Sequence, residues 1–207
     1  MTAPGQAEAP VVVGDVSGLP DDVIGLRNTN SWGLVGFMLI EGMAFVLAIG
    51  AYFYLRANEL QWPPHSSPPP LFWGSVFTVV AVLSEIPNTW LTRRAKAQDL
   101  RGVQIGIVVM ILFGLALIVL RGLEMHAMNV RWDITAYGSI VWAILALHAF
   151  HTITDVYDSG VLAAIVFRKP MDGRRFSDVA DNALYWRFIV WSWVVLYLVV
   201  YWTPRWT

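Results

Sequence analysis

The sequence predicts an all-α, polytopic transmembrane bundle of five helices. Of the 207 residues, 57% are hydrophobic, the mean hydropathy is +0.55, and five long apolar stretches are separated by polar or proline-rich segments. A water-soluble domain of this length could not cover so much apolar surface with polar side chains. Eleven Trp and seven Tyr are present, many of them near the ends of the apolar stretches, where amphipathic rings favour a membrane interface. The expected solvent of the chain is lipid.

The first thirty residues, 1–30, are predicted to form a flexible N-terminal tail. They are rich in Pro, Gly, Ala and acidic residues, and such a composition buries too little apolar surface to offset the entropy of ordering. They contain no basic start followed by an apolar stretch and a small-residue cleavage site, so they do not resemble a cleaved signal.

The membrane domain is predicted to occupy residues 31–207. Its five spans are expected at about 31–55, 71–91, 103–121, 137–167 and 185–202. About 20 helical residues cross a hydrocarbon core of about 30 Å. Five prolines between Gln61 and Pro70 forbid a helix there, so this segment is expected outside the hydrocarbon. Pro87 frees a carbonyl one turn earlier, which predicts a kink in the second span. Gly102, Gly106 and Gly114 in the third span have a spacing that permits close helix packing.

The positions of Lys and Arg predict the orientation of the chain. Loops after the second and fourth spans hold eight basic residues, namely Arg93, Arg94, Lys96, Arg101, Arg168, Lys169, Arg174 and Arg175. The alternate loops and helix ends offer only Arg56, Arg121 and Arg131. Because basic residues accumulate on the cytoplasmic side, we expect the N-terminus in the cytoplasm and the C-terminus on the opposite, periplasmic or extracytoplasmic side. The expected location is a bacterial inner (cell) membrane.

Six ionisable residues inside the apolar stretches predict a buried polar cluster. They are Glu41, Glu85, His148, His151, Asp155 and Asp158. An ionisable group within a span costs roughly 2.5 to 3.5 kcal/mol on insertion scales, so each requires a partner or a wet cavity. The last four lie within an arc of roughly 80° on one helix and therefore point one way. The two Glu residues are expected at a similar depth, which favours one cluster inside the bundle.

The cluster has three interpretations from the residues alone. A di-iron site of the ferritin type needs paired Glu-x-x-His motifs on two helices, and the chain lacks this pattern, so no metal is expected. Asp155 and Asp158 approach the cytoplasmic side and permit a proton relay, whereas mutual hydrogen bonding would serve only to hold helices together. Arg121 and Glu124 are predicted to form an interfacial ion pair of little energetic value.

Composition and surface charge limit the partners. With a net charge of −1 and basic residues confined to short loops, nucleic-acid binding is excluded as a function class. Phospholipid headgroups are expected to bind the cytoplasmic Arg residues and indole donors. The candidates are Arg93, Arg94, Trp186 and Arg187. The Trp-rich last span is predicted to present an aromatic surface to lipid. No Cys is present, which excludes thiolate chemistry.

Several motifs resemble those of the subunit III family of haem-copper respiratory oxidases, the cytochrome c and quinol oxidases. The segment 40–45, with Ala51-Tyr52-Phe53-Tyr54, is similar to the family's Ser-Glu-x-x-x-Phe helix, and 113–115 with Glu124 is similar to its Gly-rich helix ending in Glu. The segment Tyr137-Gly138-Ser139 through His148-Ala149-Phe150-His151 resembles the family's Tyr-Gly-Ser start and His-Gly-x-His signature. Tyr185-Trp186-Arg187-Phe188 resembles its closing Tyr-Trp-His-Phe motif. Ala149, Arg187 and Val190 depart from the family's Gly, His and Asp.

The resemblance implies an accessory subunit without an active site of its own. It implies the five-helix form of the family, with helices split into two groups by a lipid-filled cleft. It also implies that haem and copper are held by partner subunits, chiefly the catalytic subunit I, which reduces O2 to water with proton pumping. Glu41, His148 and His151 match the family's buried Glu and signature histidines, and the acidic residues are expected to support proton uptake. Two alternatives remain at this stage: an accessory subunit of a quinol oxidase or nitric oxide reductase, and a small membrane transporter.

Overall fold

The computed structural model describes residues 29–64, 67–168 and 173–206, which contain helices and no strand. The helices are α1 (Thr29–Ala57), α2 (Leu71–Leu83), α3 (Glu85–Lys96), α4 (Leu100–His126), α5 (Ala136–Arg168) and α6 (Gly173–Tyr197), followed by a π-helical turn (Leu198–Trp202) and a 3-10 turn (Thr203–Arg205). With α2 and α3 taken together, five helical segments are long and apolar enough to cross a membrane. The prediction of an all-α chain with five spans is confirmed. Most of the predicted tail, 1–30, lies outside the described residues.

The second span is broken at Ser84, between α2 and α3. Pro87 has no N–H and cannot donate to the carbonyl of Leu83, four residues earlier, so the helical ladder is interrupted at this point. The hydroxyl of Ser84 donates to the carbonyl of Ala81 at 2.6 Å and accepts the indole N–H of Trp186 at 2.9 Å. The predicted kink one turn before Pro87 is confirmed, and it gives α6 a hydrogen-bonding partner.

Local capping explains where α4 and α5 begin. The carboxylate of Asp99 accepts the backbone N–H of Gly102 at 3.1 Å, and the hydroxyl of Thr135 accepts that of Gly138 at 3.0 Å. Short polar side chains in these positions satisfy N–H groups that have no partner within the helix.

Helices α2 to α6 pack closely together, whereas α1 lies at the edge of the bundle against α5 and α6. The outer face of α1 is apolar and exposed, with Leu39, Ile40 and Leu47 each at least two-thirds accessible. Polar side chains join its inner face to α6 and the C-terminal turns: Ser31 donates to Asp181 at 2.7 Å, and the hydroxyls of Tyr52 and Thr203 lie 2.9 Å apart. The outer face is therefore available to lipid or to a neighbouring subunit.

Two glycines of α4 lie at close helix contacts, as their spacing predicts. A Cβ on Gly106 would lie 2.7 Å from a methyl carbon of Leu91 on α3, and a Cβ on Gly114 would overlap a methyl of Val156 on α5. Gly122, further along the same helix, has no such neighbour within 4 Å. Absence of a side chain at the first two positions lets the helices approach one another.

The aromatic surface predicted for the last span is wrong for two of its Trp residues. Trp186 and Trp193 are buried, at 3% and 0% exposure, while Trp191 is 54% exposed. The indole N–H of Trp193 donates to the hydroxyl of Thr78 at 2.9 Å, and the indole N–H of Trp186 donates to the hydroxyl of Ser84. An indole N–H inside hydrocarbon needs an acceptor, and hydroxyls on the second span supply it. Trp186 is therefore not placed to bind a lipid headgroup.

We predict that Gly114→Ala destabilises the protein by about 1 to 3 kcal/mol, because the added methyl group overpacks the contact with Val156. Gly122→Ala is the matched control on the same helix. It is expected to be neutral or stabilising by up to about 1 kcal/mol, since Ala is the better helix former. Reversible unfolding in mixed detergent micelles measures both changes, and equal effects of the two substitutions would contradict the assigned α4–α5 contact.

Candidate functional site

The polar residues predicted to form one cluster are divided among three places. The stripe on α5 splits, so that His148 faces α4 and α6, whereas His151 faces α1. Asp155 and Asp158 line a cavity between α1, α5 and α6. Glu85 belongs to neither group and pairs with Arg187 at 3.1 Å.

The cavity between α1, α5 and α6, called here the carboxylate cavity, has a volume of about 460 Å³. Its lining residues are Asn30, Leu34, Phe37, Glu41, Phe150, Thr154, Asp155, Asp158, Asp178, Asp181, Asn182 and Tyr185. The described residues of this lining include five carboxylates and no Lys, Arg or His. Exposed side chains such as Asp158 and Phe150 form its rim, so the cavity is accessible from outside the protein.

Glu41 is held at the inner end of the carboxylate cavity by two partners. The hydroxyl of Tyr185 donates to its Oε2 at 2.7 Å, and Nε2 of His151 lies 3.3 Å from its Oε1. The other ring nitrogen of His151, Nδ1, lies 2.6 Å from the backbone carbonyl of Leu147. A carbonyl only accepts hydrogen bonds, so Nδ1 carries a hydrogen. Contact between Nε2 and Glu41 therefore requires a second proton, located either on the ring or on the carboxyl group.

Asp155 contributes an unsatisfied carboxylate to the same cavity. Its side chain is 1% exposed, and among the described residues neither of its carboxylate oxygens has a hydrogen-bond partner. Its neighbours have partners of their own: Asn182 donates to Asp158 at 3.4 Å, and Asp181 accepts from Ser31. A buried carboxylate without a donor is energetically costly, so Asp155 requires a proton, water or a cation.

Arg121 and Glu124 form a second buried polar site. Nη1 of Arg121 donates to Glu124 at 2.5 Å, and the two side chains are only 4% and 1% exposed. The hydroxyl of Tyr201 also donates to Glu124. The guanidinium carbon lies 3.9 Å and 3.8 Å from the ring centroids of Phe77 and Trp193, where the aromatic faces stabilise its charge.

His148 extends this network to α6. Its Nε2 lies 3.1 Å from the carbonyl of Ile189, which it can reach only as a donor. Its Nδ1 then accepts from Nη2 of Arg121, also at 3.1 Å. Both contacts suit a neutral imidazole with the hydrogen on Nε2, so His148 is satisfied without a proton to exchange.

The prediction that Arg121 and Glu124 form a weak interfacial pair is wrong. Helix α4 continues to His126, beyond the predicted end of the span, and Tyr201 reaches Glu124 from the π-helical turn that follows α6. The only sign of this site in the sequence was the spacing of Arg121 and Glu124, which lie three residues apart next to an apolar stretch. Neither their depth in the bundle nor the approach of Tyr201 could be read from spacing along one helix.

Glu85 and Arg187 lie on a third polar surface, at the α3–α6 contact. Asn88 donates to the carbonyl of Ala183 at 2.9 Å and to Glu85 at 3.4 Å. Arg187 and Lys96 line a groove of about 140 Å³ on this surface. Because Arg187 is 41% exposed, its free N–H groups can reach an anion from outside.

The remaining lipid-binding candidates lie at the end of α3. Arg93 is exposed, and Arg94 pairs with Asp99 at 3.1 Å while its guanidinium carbon lies 5.2 Å from the ring centroid of Trp90. Within the described parts of the chain, no group of three or more His, Asp or Glu side chains is placed to hold a metal ion.

Comparison with known proteins places these features in a family. A family model described as cytochrome c oxidase subunit III matches residues 19–206. The chain is 20% identical over 173 residues to cytochrome c oxidase subunit 3 of Thermostichus vulcanus, covering 82% of this chain and 85% of the relative. It is 24% identical over 186 residues to the protein of the same name from Drosophila melanogaster, covering 86% of this chain and 70% of the relative.

We predict that Glu124→Gln destabilises the protein by about 3 to 5 kcal/mol, because it leaves the buried charge of Arg121 uncompensated. Asp133→Asn is the control: it breaks the exposed ion pair with Arg131, which is expected to contribute less than about 1 kcal/mol. Unfolding of both variants in detergent measures the difference. Similar stabilities for Glu124→Gln and the wild type would contradict the structural role of the network.

Proposed function

Because the chain belongs to the cytochrome c oxidase subunit III family, we propose that it steadies the catalytic subunit of its complex and supports proton uptake. It is a multi-pass membrane protein and a subunit III of a respiratory oxidase. In this proposal subunit I and its neighbours hold the haem and copper that reduce O2 to water with proton pumping, and this chain contributes no catalytic residue. The orientation proposed is a cytoplasmic N-terminus and a periplasmic C-terminus in a bacterial inner membrane.

The Glu41–His151 contact carries the proposal for proton uptake. Nδ1 of His151 carries a hydrogen, because it contacts the carbonyl oxygen of Leu147. In this proposal one further proton is shared between Nε2 of His151 and Oε1 of Glu41. Such a pair releases or takes up a proton with little movement of heavy atoms. Its position beside the carboxylate cavity makes it accessible to protons arriving from outside the bundle.

The carboxylates of the cavity provide the approach to this pair. Asp158 is exposed and Asp178 and Asp181 are partly buried, so these three can take up protons from water at the rim. Asp155 is buried, and with Glu41 it lines the interior of the cavity. The five carboxylates lie around one accessible cavity. The arrangement therefore favours a local store of protons over a purely structural role for these acids.

Steadying of the complex is supported by the exposed apolar face of α1 and by the basic residues at the end of α3 and at the α3–α6 contact. Headgroup phosphates are proposed to bind Arg187 in the groove that Lys96 also lines. Arg93 and Arg94 lie just before Lys96 in the last turn of α3. Phospholipid tails then lie against the bundle, and a lipid-filled cleft divides the helices into two groups. Guanidinium groups suit this role because they bind phosphate oxygens in pairs.

We predict that Glu41→Gln slows proton uptake by the assembled oxidase and shortens its active lifetime during turnover. The amide keeps the hydrogen bond from Tyr185 and can donate to Nε2 of His151, so the fold is retained while the shared proton is lost. A reduction of roughly two- to tenfold corresponds to a barrier increase of up to about 1.4 kcal/mol. Stopped-flow pH-indicator measurements and turnover time courses report both quantities.

Glu59→Gln is the matched control for this experiment, because Glu59 is exposed and follows α1 at its far end. It is expected to match the wild type in both assays. If Glu41→Gln also behaved as the wild type, the proposed role of Glu41 would be abandoned. Deletion of the whole chain tests the broader proposal: the remaining complex is expected to lose stability during turnover, and an unchanged complex would contradict it.

We predict that Arg187→Gln reduces the number of anionic phospholipids that copurify with the complex by about one per chain, since a neutral amide lacks the charge-assisted contact to phosphate. Arg131→Gln is the control, because Arg131 lies in the α4–α5 loop and is engaged with Asp133. Native mass spectrometry counts the bound lipids. Equal lipid content in the two variants would remove Arg187 from the proposed headgroup site.

A further inference from the structure

The carboxylate cavity contains features that proton uptake does not require. Its wall near α1 is apolar and aromatic, with Leu34, Phe37 and Phe150 among the lining residues. The rings of Phe37 and Tyr185 lie 5.9 Å apart between centroids and are tilted by 36°. At about 460 Å³, the cavity is within the range of about 300 to 1,000 Å³ that small-molecule sites occupy.

Asp155 supplies a second and independent observation. Its carboxylate is almost fully buried and lines the cavity, yet the described residues offer it no hydrogen-bond donor. The hydroxyls at i−3 and i+4 on the same helix donate elsewhere: Thr152 to the carbonyl of His148 at 3.0 Å and Ser159 to the side chain of Asn182 at 3.1 Å. A ligand that brings positive charge and N–H donors would satisfy this carboxylate.

We propose that the carboxylate cavity binds an amphipathic primary ammonium ion. The ammonium group has three N–H donors and lies against Asp155, with Asp158 at the rim contributing charge. The apolar chain of the ligand lies against Leu34, Phe37 and Phe150. Two natural sources share this chemistry, the headgroup of an ethanolamine phospholipid and a free alkylamine. Binding does not depend on a role of the cavity in proton uptake.

The test uses the purified oxidase complex containing this chain, in an amine-free buffer, with hexylammonium as the probe. Hexanol has the same chain without the charge, and hexyltrimethylammonium has the charge without N–H donors. Isothermal titration is expected to show one hexylammonium per chain, with the other two probes about tenfold weaker or more, since charged hydrogen bonds are lost. Equal binding of hexanol, or no binding of hexylammonium, would overturn the proposal.

Variants locate the site within the cavity. Asp155→Asn keeps the shape of the side chain and is expected to weaken hexylammonium binding about tenfold or more. Asp158→Asn changes an exposed residue, leaves the fold intact and is expected to weaken binding by roughly two- to fivefold. Asp133→Asn, in the α4–α5 loop, is the control and is expected to leave binding unchanged. Unchanged binding in Asp158→Asn together with unchanged binding in Asp155→Asn would overturn the assignment.

Reconstitution in nanodiscs distinguishes the two sources. Weaker apparent binding of hexylammonium in phosphatidylethanolamine discs than in phosphatidylcholine discs supports the proposal with a lipid headgroup as the natural ligand. Equal binding in both supports the proposal with a free alkylamine. Proton uptake by the same Asp155→Asn complex is measured separately, so that failure of amine binding and failure of the proton-uptake proposal give different results.

Discussion

Arg121 and Glu124 bring two opposite charges to within 2.5 Å of each other inside an apolar bundle, and α4, α5 and α6 are arranged around them. Three neighbouring elements stabilise the pair: Tyr201 donates to the carboxylate, His148 accepts from the guanidinium, and Trp193 covers the cationic face. Nε of Arg121 has no hydrogen-bond partner among the described residues. In hydrocarbon an ionised group without such partners would be prohibitively costly. The same requirement for internal partners determines how the rest of the chain packs.

The carboxylate cavity does not meet this requirement, because one of its buried carboxylates has no hydrogen-bond donor among the described residues. It differs in this respect from the carboxylate of Glu124 in the Arg121–Glu124 network. In the Arg121–Glu124 network His148 has one defined hydrogen and both ring nitrogens are occupied, which suits a permanent support. Beside the cavity Nε2 of His151 lies 3.3 Å from Glu41, and in the cavity the carboxylate of Asp155 has no hydrogen-bond donor among the described residues. Because Asp155 lines an accessible cavity, its unsatisfied carboxylate can interact with something arriving from outside the protein. Two imidazoles three residues apart on α5 therefore have different chemistry because they face different helices.

The sequence predicted much of the fold and less of the site, for physical reasons. Spans are local properties of hydropathy and length, and the kink before Pro87 follows from one missing N–H. The common direction of His148, His151 and Asp155 follows from helical periodicity. Which helix each one meets depends on the rotation of neighbouring helices, which no single segment encodes. The burial of Trp186 has the same origin, because Ser84 accepts its indole only after the kink brings α6 alongside.

Helix α1 links the fold to the chemistry of the cavity. Helices in lipid gain no hydrophobic energy from meeting each other, so packing and hydrogen bonds determine where an edge helix lies. Glu41 makes two of these contacts: it accepts from Tyr185 at 2.7 Å, and its Oε1 lies 3.3 Å from Nε2 of His151. Ser31 and Tyr52, on either side of Glu41 along α1, also hold this helix through hydrogen bonds to Asp181 and Thr203. The position of α1 therefore does not depend on Glu41 alone, because hydrogen bonds on either side of this residue also hold the wall of the cavity in place.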